Sequence, residues 1–207
     1  MPATLRNLTH NEYLLLRTDA TVVEQDRFGE KVLLLADGSY LKLFRRKRLL
    51  STAAWYPYAL RFADNAIALA QRGIPCPEVR EVYRIPSVAR DAVWYHPLQG
   101  QTLRQLLDAG KAPSGLHERL GAFVAGLHLS GIYFRSLHLG NIVLTPQGML
   151  GLIDIADLRI GKRSLTAHRR RRNLQHLVRD ELDRRWLQSD GASFDSAYQR
   201  ALENSSG

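Results

Sequence analysis

The most constraining stretch of this chain is a pair of short apolar runs, Ile142-Val143-Leu144 and Met149 through Ile153, separated by Thr145-Pro146-Gln147-Gly148. Pro followed by Gly suits a tight turn, so the stretch predicts a β-hairpin. Asn141 precedes the first strand and Asp154 follows the second, 13 residues on. Folding the hairpin brings an amide oxygen and a carboxylate to the same end. Oxygen ligands grouped this way suit Mg²⁺, which takes one or two carboxylates together with substrate phosphate oxygens. An Asn before a strand also serves as a turn residue, and an Asp after one as a helix cap, so the pair has to be judged against the rest of the chain.

With 207 residues and 45% hydrophobic content, the chain is long enough for a real core, in one domain or a compact pair of lobes. A single cysteine, Cys76, excludes an internal disulfide and fits a reducing compartment. Met1-Pro-Ala-Thr-Leu-Arg has no apolar signal core. The longest charge-free apolar stretch, Leu120 to Phe134, is too short for a membrane span and is broken by Gly121, Gly126 and Gly131. The expectation is a soluble cytoplasmic protein.

The net charge of +9 favours an anionic partner. Between Leu158 and Arg179 stand eight basic residues (Arg159, Lys162, Arg163, Arg169, Arg170, Arg171, Arg172 and Arg179) and no acid. Arg45-Arg46-Lys47-Arg48 is a second cluster. Each is either a solvated face or an anion-binding surface, and the second could meet the anionic lipid of a membrane face.

In chain order, Tyr13–Leu16, Thr21–Val23 and Lys31–Leu35 read as strands, and Asp37-Gly38 turns the last of these into Ser39–Phe44. Alternation places Tyr40, Lys42 and Phe44 on one face of that strand and Leu41 and Leu43 on the other. Residues 52–72 read as a helix with Ala54, Tyr58, Phe62, Ile67 and Leu69 as apolar positions and Pro57 either in its first turn or starting a second segment. Gly73-Ile-Pro-Cys-Pro77 ends it. Val79 to Tyr95 reads as two strands around Pro86 and Asp91, completing five. A Pro/Gly-bearing connection follows at His96–Gln101, Thr102 caps a helix at Leu103–Asp108, and Ser114 to Ser130 forms a longer helix with Leu116, Leu120, Phe123, Val124 and Leu127 on one side.

The order of these pieces resembles the small bacterial lipopolysaccharide-kinase branch of the protein-kinase-like superfamily. The resemblance rests on strand-borne Lys42, Gly73-Ile-Pro-Cys-Pro77, the Tyr95–Gln101 connector, Leu127-His-Leu-Ser-Gly-Ile132, Leu137-His-Leu-Gly-Asn141, Leu152-Ile-Asp154, Arg172-Asn-Leu-Gln-His-Leu-Val-Arg179 and Asp183-Arg-Arg-Trp-Leu187. It covers most of the chain and implies a two-lobed protein-kinase-like α+β fold, with a small β-rich N-lobe at residues 1–95 and a helical C-lobe at 96–207. It also implies ATP and Mg²⁺ as cofactors. Lys42 would meet the nucleotide phosphates, Asn141 and Asp154 would hold the metal, and a lipopolysaccharide core sugar hydroxyl would be the acceptor. An anionic core intermediate would lie along Arg159–Arg172, with peripheral inner-membrane contact.

The sequence departs from that branch at three points. The catalytic-loop aspartate position holds Ser136, and the histidine ahead of it is Phe134. Asp26-Arg-Phe-Gly29 offers one glycine where a phosphate-covering loop uses several. No Glu lies between Ser51 and Gly73 to hold Lys42, and Asp64 is the only acid there. Ser136, His138 and Asp157 are the catalytic candidates left, against competing roles as a loop-tying histidine for His138 and a helix cap for Asp157. The alternative is a pseudokinase, a binding or scaffolding protein of envelope biogenesis. Nucleic-acid binding ranks last, because the arginine run has no aromatic interleaving.

Overall fold

The computed structural model describes residues 3–46 and 56–204. The fold is mixed α+β. The chain divides into two compact units, one of residues 1–71 and 76–98 and the other of residues 72–75 and 99–207.

In the first unit, β1 (Leu5–Asn7), β2 (Thr21–Asp26), β3 (Gly29–Leu34), β4 (Tyr40–Arg45), β5 (Glu78–Ile85) and β6 (Arg90–His96) form one sheet in the order β1-β5-β6-β4-β3-β2. This is six strands rather than five, because β1 adds in parallel beside β5 with Leu5 opposite Val82. The Asp37-Gly38 turn forms as expected: Gly38 N–H donates to Leu35 O at 3.0 Å and Asp37 Oδ1 accepts from Ser39 N–H at 2.9 Å. Leu41 and Leu43 are buried in β4, while Tyr40, Lys42 and Phe44 on the opposite face are half-buried.

One expectation changes here. Tyr13-Leu-Leu-Leu16 is helical rather than extended, within α1 (His10–Leu16). Its start is fixed by a reciprocal cap in which Thr9 Oγ1 accepts from Glu12 N–H and Glu12 returns a carboxylate to Thr9 N–H at 2.7 Å. The next described helix, α2, runs from Tyr58 to Ala70 with Pro57 as its N-cap, so Pro57 starts this segment. Ala54, Lys47 and Arg48 lie outside the described residues. Ala59, Phe62, Ala63, Ala66 and Leu69 recur at helical spacing and are buried.

In the second unit, α3 (Leu103–Asp108) begins at Thr102, whose hydroxyl accepts from Gln105 N–H as expected of the cap. The long helix α4 (Leu116–Leu129) buries Leu116, Leu120, Val124 and Leu127, each contributing about 1.5–3 kcal/mol. Three helices close the chain: α5 (Ala167–Leu177), α6 (Glu181–Ser189) and α7 (Ser193–Glu203). Helix α7 packs closely on α4 at Gly121, where a side chain would collide with the Phe194 carbonyl. The strands of this unit are short. β7 (Gln101–Thr102), β9 (Ile142–Leu144) and β10 (Leu150–Leu152) form one sheet, and β8 (Ile132–Phe134) pairs with β11 (Leu158–Ile160). Among the described residues no helix is long and apolar enough to cross a membrane.

Candidate functional site

The expected hairpin forms, with Ile142 opposite Leu152 and Leu144 opposite Leu150. One step beyond that register, Ile153 N–H donates to Asn141 O at 3.0 Å, so Asn141 and the residue before Asp154 are tied directly. Asn141 Nδ2 donates to Ser136 O at 3.0 Å, leaving Oδ1 as the amide's acceptor. Asp154 has φ 51°, a left-handed conformation that is uncommon away from Gly and costs of order 1–3 kcal/mol. Asp154 also takes the N-cap position of the 3-10 turn Ile155–Asp157, and Asp19 and Ala89 share its left-handed conformation.

The loop between β8 and the hairpin is folded back by strand pairing. β11 returns antiparallel along β8, with Leu158 opposite Phe134 and Arg159 opposite Tyr133. The residue ahead of Leu158 is therefore brought beside the residues after Phe134, and Ser136 Oγ donates to Asp157 Oδ2 at 2.7 Å. Arg135 Nε stands 3.9 Å from the same oxygen. The other oxygen, Asp157 Oδ1, is buried without a hydrogen-bond partner. Burial pushes the Asp157 carboxyl above its usual range, against the opposing pull of Ser136 and Arg135. Asp157 lies at the end of a single 3-10 turn, Ile155–Asp157.

His138 is held differently. Its Nδ1 accepts from Gly140 N–H at 3.1 Å, while Nε2 lies 3.1 Å from Asn141 Nδ2. Both ring nitrogens thus face N–H groups, and a neutral imidazole has one lone pair to offer them. Protonation would set N–H against N–H. Burial, followed by the Arg104 charge, lowers the His138 pKa in keeping with that arrangement. The ring ties the loop together and its lone pair is spent on the backbone.

Three polar side chains of this site carried no role in the sequence reading. Asp183 is buried; its Oδ2 accepts from Leu139 N–H at 3.0 Å and its Oδ1 from Arg104 at 2.7 Å, fixing the loop ahead of Asn141. Asn173 uses its amide as a strand mimic: Oδ1 accepts from Phe134 N–H at 3.2 Å and Nδ2 donates to Phe134 O at 2.6 Å. His128 completes the group, with Nδ1 2.8 Å from Tyr198 Oη and Nε2 3.3 Å from Asn173 Oδ1. The available signal was a polar residue on an apolar helix face: Asn173 stands one turn before the buried Leu177 and Asp183 one turn before the buried Leu187.

Two of the clefts on this unit adjoin these residues. The first, of about 490 Å³, is lined by Tyr133, Arg135, Arg159, Arg169 and Arg172 among others. The second, of about 480 Å³, is lined by Arg104, Arg135, Ser136, His138, His176 and Arg179 together with Asp180.

The remaining candidates lie in the first unit. Lys42 stands opposite Val32 and Val93, with Nζ 5.9 Å from the Phe44 ring centre. The Asp26–Gly29 turn is a tight connection in which Phe28 N–H donates to Asp26 Oδ1 at 2.7 Å, and the Arg45 guanidinium lies 3.7 Å over the Phe28 ring. Asp64 is engaged by Ala3 N–H at 2.8 Å and by Tyr56 Oη at 2.6 Å. Cys76 is a free thiol, half-buried, and burial raises its pKa to about 11.

No protein-family model and no curated protein matches this sequence. Among solved structures, the chain is similar to the bifunctional kinase-methyltransferase WbdD, with 17% identity and a TM-score of 0.41. The match covers 64% of this chain and 29% of that one, so it spans less than a third of that protein's length.

Proposed function

We propose that this chain is a kinase-like phosphotransferase that moves the γ-phosphoryl group of Mg-ATP to a sugar hydroxyl. A lipopolysaccharide core sugar is the acceptor that the sequence resemblance implies. The observation that carries this reading is the Ser136–Asp157 hydrogen bond, in a loop whose other end is tied to the hairpin bearing Asn141 and Asp154.

Asn141 and Asp154 fit a Mg²⁺ ion. One amide oxygen and one carboxylate, placed by adjacent hairpin ends, match a cation that keeps most of its coordination for water and phosphate. Among the described residues no group of three His, Cys, Asp or Glu side chains could hold a metal unaided, so the phosphate oxygens would complete the shell. The bound ion would neutralise charge on the phosphates. Lys42 keeps the phosphate-binding role that the resemblance gives it.

Ser136 alone is a weak base, and its proton is donated to Asp157. The pair together makes a relay. An acceptor hydroxyl in the cleft lined by Ser136 and Arg179 would donate its proton to Ser136 Oγ as its oxygen bonds to phosphorus. Ser136 would pass its own proton to Asp157, and the bond to the nucleotide's leaving oxygen would break. A carboxyl pushed above its usual range accepts that proton more readily. Arg104, Arg135 and Arg179 would hold an anionic acceptor. An acceptor of that kind would place the protein in the cytoplasm, in peripheral contact with the inner membrane.

The test is acceptor-dependent release of ADP on core-sugar acceptors. Asp154→Ala should abolish it and Asp157→Asn should lower it about 10²- to 10⁴-fold. The second reading, a pseudokinase used as a binding module, is favoured by the occupation of the His138 lone pair, which leaves that ring no basic nitrogen for an acceptor hydroxyl. It predicts nucleotide binding with no ADP release on any acceptor.

A further inference from the structure

The arginine run from 169 to 172 is not one patch. Helix α5 (Ala167–Leu177) turns Asn173 and Leu177 inward, and its Arg169, Arg172 and His176 follow one another at three- and four-residue steps, on one face. Arg169 and Arg172 line the first cleft, and His176 lines the second with Arg179 just beyond the helix. Arg170 and Arg171 line neither. The clefts meet at shared groups: Arg135 lines both, and Tyr133 Oη of the first lies 3.1 Å from His176 Nε2 of the second.

Much of the charge in them is uncompensated, although Arg135 stands 3.9 Å from Asp157 and Arg104 is bonded to Asp183. Among the described residues no carboxylate forms an ion pair with Arg159, Arg169, Arg172 or Arg179, and the one acid lining either cleft is Asp180, in the second, which is already shared with Arg104 at 3.6 Å. His176 senses this field, since burial first and then Arg172, Arg135 and Arg179 hold its pKa below the usual range. Grouping like charges on a folded surface costs stability, and an anion that fills the gap returns it. Along the helix His176 is about 6 Å from Arg172 and about 10 Å from Arg169, so anions held by the two clefts would stand about 6–10 Å apart. A pyrophosphate is too short to bridge them.

We infer that the two clefts are paired anion subsites which together bind one small ligand carrying two phosphate groups about 6–10 Å apart, with Arg135 between them. This rests on the phosphotransfer reading in one respect: Ser136 lines the second cleft, so the ligand is the acceptor, doubly phosphorylated and presenting a free hydroxyl there.

Calorimetric titration without nucleotide tests the subsites independently of catalysis. The probes are a hexose 1,6-bisphosphate, the corresponding monophosphate, and a single-stranded oligonucleotide. The bisphosphate should bind at least tenfold more tightly than the monophosphate. Arg172→Ala and Arg179→Ala, each emptying one subsite, should each reduce it to monophosphate affinity, while Arg170→Ala and Arg171→Ala should leave it unchanged. The His176 ring, followed by NMR, should titrate at higher pH when the bisphosphate is bound. Equal affinity for mono- and bisphosphate, equal losses from Arg171→Ala and Arg172→Ala, or an oligonucleotide binding more tightly than the bisphosphate would overturn the proposal. Tight bisphosphate binding without ADP release would instead sink the phosphotransfer reading and leave the paired subsites standing.

Discussion

Ser136 Oγ donates a 2.7 Å hydrogen bond to Asp157 Oδ2, joining two residues that are 21 apart in sequence and brought together by the β8–β11 pairing. The partner oxygen Oδ1 is buried and unsatisfied. A half-buried carboxylate with one oxygen unsatisfied disfavours its own charge, which is a poor arrangement for stability and a useful one for proton transfer. Asp157→Asn should therefore leave the melting temperature unchanged or raised while phosphotransfer falls. A lowered melting temperature with turnover retained would assign Asp157 to structure alone.

Asp183 holds the opposite kind of position. Its carboxylate is fully partnered by Arg104 and Leu139 N–H. Removing it leaves the Leu139 backbone donor without an acceptor and Arg104 with only Asp180 at 3.6 Å, so Asp183→Ala should cost about 1–3 kcal/mol in denaturant unfolding. A loss under about 1 kcal/mol would show that the loop is positioned by other contacts.

Gly131 sits at φ 74° where the chain enters β8, and a Cβ there would approach Arg163 O at 2.5 Å. Both the left-handed backbone and the close approach demand glycine. Gly131→Ala should destabilise by about 2 kcal/mol or more and should also weaken anion binding in the adjoining cleft, because the 161–163 segment has to move.

His128 gives stability a pH dependence. Burial lowers its pKa to about 4 in the folded chain, against an ordinary 6.5. Above pH 6.5 the ring is neutral in both states and contributes nothing to the slope. As pH falls from 6.5 toward 4, the unfolded chain takes up a proton that the folded chain refuses, so stability drops by up to about 3 kcal/mol and levels off below that window. Urea unfolding at pH 7, 5.5 and 4 would measure the drop. His128→Gln should be less stable at pH 7 and should lack this part of the slope.

Legibility in the sequence followed locality. The Asp37-Gly38 and Thr145–Gly148 turns and the Thr102 cap are written in adjacent residues, and each forms where the residues place it. The adjacency of Asn141 and the Asp154 end follows from hairpin register alone. Tyr13–Leu16 misleads because four apolar residues carry no period, and the deciding signal was the Thr9–Glu12 capping box upstream. β1 is three residues long and exists because β5 is beside it, a partner more than 70 residues away. The Ser136–Asp157 bond, the Asn173 bridge to Phe134 and the division of the arginines between two clefts all depend on such distant pairings, so residue type marked them as candidates and only the fold joined them.

The measurement closest to the central claim is the thermal stability of the protein with ATP, with and without Mg²⁺, in the wild type and in Asp154→Ala, Asn141→Ala and Lys42→Ala. A ligand bound to the folded state raises its stability by about 2.7 kcal/mol at a hundredfold excess over its dissociation constant. The phosphotransferase reading predicts a Mg²⁺-dependent rise in the wild type that is lost in Asp154→Ala and Asn141→Ala and weakened in Lys42→Ala. No rise at millimolar ATP, or a rise indifferent to Mg²⁺ and to Asp154, would contradict it.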